Sequence, residues 1–139
     1  MKSPHVRLIL IAFVILIFKN AQAQNHNKIS VIPMPLEVDR VEGYFTLSAK
    51  NKIYIAAESA MEPVNLFNEF LKKRYKIEAL GLDQMSSESS IRVFLDTELE
   101  SEEYQLHVDQ NGVEIKGGES GVFYAFQTLL QLIEENDGT

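Results

Sequence analysis

Apolar positions along this chain repeat with two periods, every second residue in several short runs and every third or fourth in two longer ones, so the pattern predicts strands interleaved with two helices. Ile29-Ser-Val-Ile32 opens an extended segment that Pro33-Met34-Pro35 turns into polyproline-like backbone, because each proline lacks an amide donor and pushes its predecessor out of the helical region. Leu36 to Val41 continues extended and Gly43 marks a turn. Tyr44-Phe-Thr-Leu47 and Lys52-Ile-Tyr-Ile55 are expected as two short strands around the polar Ser48 to Asn51. Farther on, Ile91-Arg-Val-Phe-Leu95 reads as a strand, and Glu103-Tyr-Gln-Leu-His-Val108 alternates so that Tyr104, Leu106 and Val108 share a face. Asp109-Gln-Asn-Gly112 carries the Asn-Gly pair that favours a tight hairpin, and Val113 to Lys116 returns with Val113 and Ile115 inward.

The first helical run covers about Ala60 to Tyr75. Ser59 and Glu62 have the spacing of a capping box, Pro63 falls in the first turn, and Val64, Phe67, Phe70/Leu71 and Tyr75 form the apolar stripe. Lys72, Lys73, Arg74 and Lys76 sit where the carbonyl end of the helix dipole favours cations, which accounts for them without a ligand. Gly81 to Ser90 reads as a loop. Strands, helix, strands, helix, with hairpins rather than regular crossovers, predict an α+β fold: a mostly antiparallel sheet with two helices on one face.

The second helix asks for more than a sheet. Gly121 to Ile133 holds no charged residue, with Gly117 to Ser120 as the turn before it and Ser120 as its N-cap. On a helical projection Val122, Phe123, Phe126, Leu129, Leu130 and Ile133 form one stripe, assigned to the domain's own sheet. Tyr124, Ala125, Thr128 and Leu132 line a second, mostly apolar face, expected to meet a partner. With Thr139 only six residues beyond Ile133, that partner is expected downstream in a larger protein.

The amino terminus changes the picture of where the chain works. Lys2, His5 and Arg7 precede the apolar run Leu8 to Phe18, too short for a membrane span and suited to the h-region of an export signal, and Ala21-Gln-Ala23 has the small-x-small pattern of a cleavage site. Cleavage between Ala23 and Gln24 would divide the chain into a signal peptide, 1–23, and a domain, 24–139, exported and free of the membrane. Lys2, Arg7 and Lys19 leave with the leader, so ten cations remain against 20 Asp and Glu, a formal charge of −10. So acidic a surface disfavours nucleic acid. The absence of cysteine excludes disulfides, thiolate metal sites and cysteine nucleophiles.

No constellation carries chemistry. His5, His26 and His107 cannot be placed together with a carboxylate, so no metal site is expected. Glu102-Glu103 and Glu134-Glu135 fall at strand-entry and helix-end positions, where solvation rather than catalysis is expected. Gly117-Gly-Glu-Ser-Gly121 precedes a helix but has no following lysine, and Glu119 brings the wrong charge for a phosphate cradle. No serine sits in a nucleophile elbow. The reading assigns no catalytic, cofactor-binding or metal-binding residue.

Several segments together resemble the amino-terminal domain of glycoside hydrolase family 20, the β-N-acetylhexosaminidases. They are Ile32-Pro-Met-Pro35 with Val38, Gly43-Tyr-Phe-Thr-Leu47, Glu103-Tyr-Gln-Leu106 and Gly121-Val-Phe-Tyr-Ala-Phe-Gln-Thr-Leu-Leu-Gln-Leu132. The last is the most specific, and the resemblance runs from about Ile29 to Ile133. It implies an accessory domain whose last helix packs on a (β/α)8 catalytic barrel, the glycan being bound by the barrel. There an adjacent Asp-Glu pair assists attack by the substrate's own 2-acetamido group at the anomeric carbon. This chain has no Asp-Glu dipeptide, so no catalytic residue is carried over and the chain by itself is expected to be inactive. The alternatives are an accessory domain of another glycosidase, of α-glucuronidase or O-GlcNAc hydrolase type, and a free-standing glycan-binding or interaction module.

Overall fold

A computed structural model of the chain describes residues 29–84 and 89–133. Among the described residues, all the regular elements lie in the unit formed by residues 31–139. Strand β1 is Lys52–Ile55; a 3₁₀ turn, Glu58–Ala60, leads into helix α1, Met61–Phe70, which continues as a wider π turn, Leu71–Tyr75. Strands β2 (Gly81–Asp83), β3 (Ile91–Leu95), β4 (Tyr104–Asp109) and β5 (Gly112–Gly117) follow, and helix α2, Gly121–Leu132, completes the domain. The five strands form one sheet in the order β2-β1-β3-β5-β4.

That sheet corrects one expectation. The fold is α+β with two helices, but the sheet is mixed and mostly parallel: β1 pairs in parallel with β2 and β3, β3 pairs in parallel with β5, and only β4 runs antiparallel, against β5. The reason lies in the connections. α1 carries the chain back along the sheet, so β2 enters in the direction of β1, and the β4–β5 hairpin folds β4 to the outside of β5, leaving β5 free to lie parallel to β3. Tyr44–Leu47 pairs with no strand, while Gly81–Asp83, expected as loop, supplies an edge strand.

The core follows the alternation. Ile53, Ile91 and Val113 stand opposite one another across β1, β3 and β5, and Val93 and Ile115 form the next row, continued by Leu106 on β4. β-branched side chains dominate these rows, as suits a pleated surface buried on one side. Val64, Phe67 and Leu71 of α1 and Val122, Ala125, Phe126 and Leu129 of α2 join the same cluster, so both helices cover the same face. Phe67 and Phe126 meet between the helices with ring centroids 4.8 Å apart.

Local devices differ from those expected. No side chain caps α1, so the Ser59–Glu62 box does not form; Ser59 lies within the 3₁₀ turn that starts the helix instead. Lys76, with φ of 57°, ends the run in the left-handed region, and the Ile77 amide closes back on the Leu71 carbonyl at 3.3 Å. The hairpin loop is Gln110–Asn111 rather than Asn111–Gly112, since Asp109 pairs with Gly112. Asp109 closes it, Oδ1 accepting from the amides of Asn111 (2.8 Å) and Gly112 (3.0 Å). Gly112 is needed because a Cβ there would stand 2.2 Å from the Ser90 carbonyl oxygen.

Candidate functional site

The open face of the sheet is polar. One cross-strand row reads Asp83, Tyr54, Arg92, Glu114 and His107 from β2 to β4. Glu114 bridges Arg92 Nε (3.4 Å) and Lys116 Nζ (3.2 Å), Lys52 pairs with Asp83 at 3.4 Å, and His107 Nε2 lies 3.6 Å from Asp109. Asn111 and Gly112 amides hold the Asp109 carboxyl below its ordinary pKa, the Asn111 backbone N–H most of all, with the Asn111 side-chain amide and His107 adding to it and desolvation opposing. The Tyr54 and Phe94 rings pack at 5.9 Å beside this ladder. It is a face built from mutually satisfied charges.

Gly117-Gly-Glu-Ser-Gly121 is a tight turn in which the Gly118, Ser120 and Gly121 amides are already engaged. Gly118 donates to the Glu103 carbonyl at 2.9 Å, and Ser120 and Gly121 both donate to Ser101, at 2.8 and 2.9 Å. A Cβ on Gly121 would come within 1.9 Å of the Glu103 oxygen, so glycine is what lets the start of α2 press on this turn. Glu102 and Glu103 are exposed, and Glu103 accepts from the Glu100 amide at 3.1 Å. Among the described residues, no group of three or more His, Cys, Asp or Glu could hold a metal ion, and no helix is long and apolar enough to cross a membrane. His5, His26, Ala23, Gln24 and Glu134-Glu135 lie outside the described residues.

The helix layer presents the other surface, and here the expected interface splits. Tyr124 and Leu132 are exposed as anticipated, but Ala125 and Thr128 are corrected: both are buried in the domain's own core. Phe123, assigned to the sheet, faces out. The helix is rotated because small residues, not large ones, allow the closest approach. Ala125 packs flat on the sheet, and Thr128 Oγ1 meets the Tyr104 hydroxyl of β4 at 2.7 Å. The bulky Phe123 is left on the outer arc with Gln127 and Gln131, and half-buried Leu130 beside them.

α1 adds to this surface. Leu66 and Phe70, one turn apart, are exposed on the flank that follows Phe67 around the helix, and Phe123 and Leu130 are on the corresponding flank of α2 beyond Phe126. Since Phe67 and Phe126 touch, those four residues lie on the outer side of the seam between the helices. Leu66, Phe70, Phe123 and Tyr124 expose between 37% and 45% of their surface. Phe123 and Tyr124 pack edge-on at 5.6 Å. Phe70 and Phe123 depart from the inward stripes their spacing predicted, and Leu66 was not singled out as outward by sequence.

Comparisons with known proteins give this geometry a context. The family model described as "Glycosyl hydrolase family 20, domain 2" matches residues 28–139. A β-hexosaminidase of Porphyromonas gingivalis is 30% identical over 120 residues, 83% of this chain and 15% of the relative. The crystal structure of an exo-β-N-acetylglucosaminidase from Vibrio harveyi superposes with a TM-score of 0.69 at 22% identity, covering 80% of this chain and 17% of that one. A β-N-acetylhexosaminidase from Bacteroides fragilis gives 0.67 at 24%, covering 78% and 22%. The chain thus spans between 15% and 22% of the length of these relatives. With the family model covering residues 28–139 and the same fold recurring in these structures, the chain belongs to glycosyl hydrolase family 20, of which it carries domain 2.

Proposed function

We propose that this chain is the amino-terminal accessory domain of an exported β-N-acetylhexosaminidase, which removes terminal N-acetylhexosamine residues from glycans in a barrel that this domain supports. The observation that carries the reading is the outer face of the helix layer, where Leu66, Phe70, Phe123 and Tyr124 stay exposed on a domain whose other face is a satisfied charge ladder. Contiguous exposed aromatic and aliphatic surface is characteristic of a docking site. The family membership supports as its occupant a catalytic (β/α)8 barrel in the same polypeptide. Export is supported by the leader pattern, with the mature protein beginning at Gln24.

In this reading the domain contributes rigidity rather than chemistry, and the glycan, its acid and its orienting carboxylate all belong to the barrel. The coding sequence beyond Thr139 is the first test: it should continue into a barrel carrying an adjacent Asp-Glu pair. The second is an assay on a chromogenic N-acetyl-β-glucosaminide, in which the longer protein turns over and this chain alone does not. Turnover by the purified chain that disappeared on mutating one of its own residues would overturn the assignment.

A further inference from the structure

A second apolar surface lies outside the helices. Ile32, Met34, Leu36 and Val38 lie in a stretch that pairs with no strand and bends at Ile32, Pro33 and Leu36, and all four are exposed, Met34 at 69% and Leu36 completely. The segment is nevertheless held at both ends. Gln131, on the outer arc of α2, accepts from the Ile32 amide through Oε1 at 2.9 Å and donates through Nε2 to the Ile32 carbonyl at 3.0 Å and to the Gln127 carbonyl at 3.3 Å. Val31 beside it is buried, and at the far end Gln110 of the hairpin loop donates to the Glu42 carbonyl at 3.5 Å.

A strap tied to α2 at Ile32 and to the hairpin loop beyond its end at Glu42, with apolar side chains exposed between the two, is fit to be covered. We propose that residues 32–38 form a third element of the barrel-docking face, and that Gln131 is the positioning residue that sets the strap against α2. The inference rests on the accessory-domain reading and extends it. Three observations commit the occupant to the barrel. Gln131 shares the outer arc of α2 with Phe123, so the strap is continuous with the helix face. Relatives carrying this domain are several times longer than the chain, which supplies a large surface in the same polypeptide. Pro33 and Pro35 remove two amide donors from the strap, which disfavours strand addition by a second copy and leaves side-chain burial against a formed surface.

Hydroxyl-radical footprinting of the chain alone and of the longer polypeptide that continues through the barrel tests this. Met34 and Leu36, exposed in the chain alone, should be reactive there, and both are expected to lose that reactivity in the longer protein together with Phe123 and Tyr124. Protection of Phe123 and Tyr124 with Met34 and Leu36 still reactive overturns the strap while leaving the accessory-domain reading intact; protection of neither pair overturns both. In the longer protein Gln131→Ala should restore reactivity at Met34 and leave Phe123 protected. Gln131→Glu, which keeps the acceptor for the Ile32 amide but not the donor to its carbonyl, should restore it in part. Protection of Met34 that survives Gln131→Ala removes the positioning role.

Discussion

On the open face of the sheet, Asp83, Tyr54, Arg92, Glu114 and His107 line up across five strands, with Glu114 held between Arg92 and Lys116. On the outer face of the helix layer, Leu66, Phe70, Phe123 and Tyr124 are exposed, with the Lys73–Glu69 ion pair, 3.3 Å, next to Phe70 in the chain. Both surfaces reach solvent in this chain, yet they differ in what water does to them. Charges that neighbour their opposites on a sheet are stable in solvent, each pair worth about 0.2–1 kcal/mol, and covering them would carry a desolvation cost. Apolar side chains gain about 25 cal/mol per Å² when covered. A partner therefore has reason to dock on the helices and none to dock on the sheet.

The comparison breaks most sharply at the layer between the two surfaces. Phe126→Ala removes one ring of the Phe67–Phe126 contact at the centre of the core. It should cost about 3–5 kcal/mol in the chain alone and in the longer protein alike, read by thermal or denaturant melts. A loss confined to the longer protein would mean that Phe126 belongs to the interface, reversing the assignment of the inner and outer arcs of α2.

Phe123→Glu should separate the two contexts. In the chain alone the side chain is partly in water, so stability should change by about 0.5 kcal/mol or less and solubility should improve. In the longer protein the carboxylate would be buried without a partner at the docking face, costing about 3–5 kcal/mol. Lys116→Glu on the open sheet face is the contrasting variant: it should behave the same in both contexts. Equal destabilisation by Phe123→Glu in both would place that ring in the domain's own core.

These two positions also show what could be read from sequence. Alternation identified Val113 and Ile115 as inward and set Tyr104, Leu106 and Val108 on one face, because period two survives whichever neighbour a strand takes. The identity of those neighbours is tertiary: nothing local in Lys52–Ile55 distinguishes an antiparallel mate at Tyr44–Leu47 from parallel mates at Gly81–Asp83 and Ile91–Leu95. The existence of a second apolar face on α2 was legible from the absence of charge between Gly121 and Ile133. Its rotation was not. The projection gave the inner side to the largest residues, whereas the sheet took Ala125 and Thr128, whose small size lets the helix approach and whose hydroxyl finds Tyr104. Gln131 escaped notice because a glutamine that binds backbone 99 residues away has no sequence signature.

The Tyr104–Thr128 bond sharpens the rotation at a smaller scale. Tyr104→Phe leaves the buried Thr128 hydroxyl without its 2.7 Å partner and should cost about 1 kcal/mol. Adding Thr128→Val should recover part of that loss, since both polar partners are then gone, and a double-mutant cycle in melts reads the coupling. Strict additivity would mean that the bond does not hold the helix in register.

The smallest effect belongs to the hairpin at the edge of the open face. Asp109 titrates below its ordinary value because it accepts from the Asn111 amide above all, helped by the Asn111 side chain, the Gly112 amide and His107. A carboxylate depressed in the folded state stabilises the fold above its unfolded pKa, and loses that contribution as pH falls through the folded pKa. Asp109→Asn keeps an acceptor oxygen in place and removes only the charge. The melting temperature of the variant should therefore lie slightly below that of the parent at neutral pH, with the gap closing as pH drops below about 4, near the unfolded carboxylate value. The helix layer provides the internal contrast, since Phe126→Ala should keep its deficit across the same titration. A gap between parent and Asp109→Asn that stayed constant down to the acid transition would show that the loop depends on the shape of the side chain and not on its charge. The open face would then owe its water-facing stability to the Arg92–Glu114–Lys116 cluster and the Lys52–Asp83 pair.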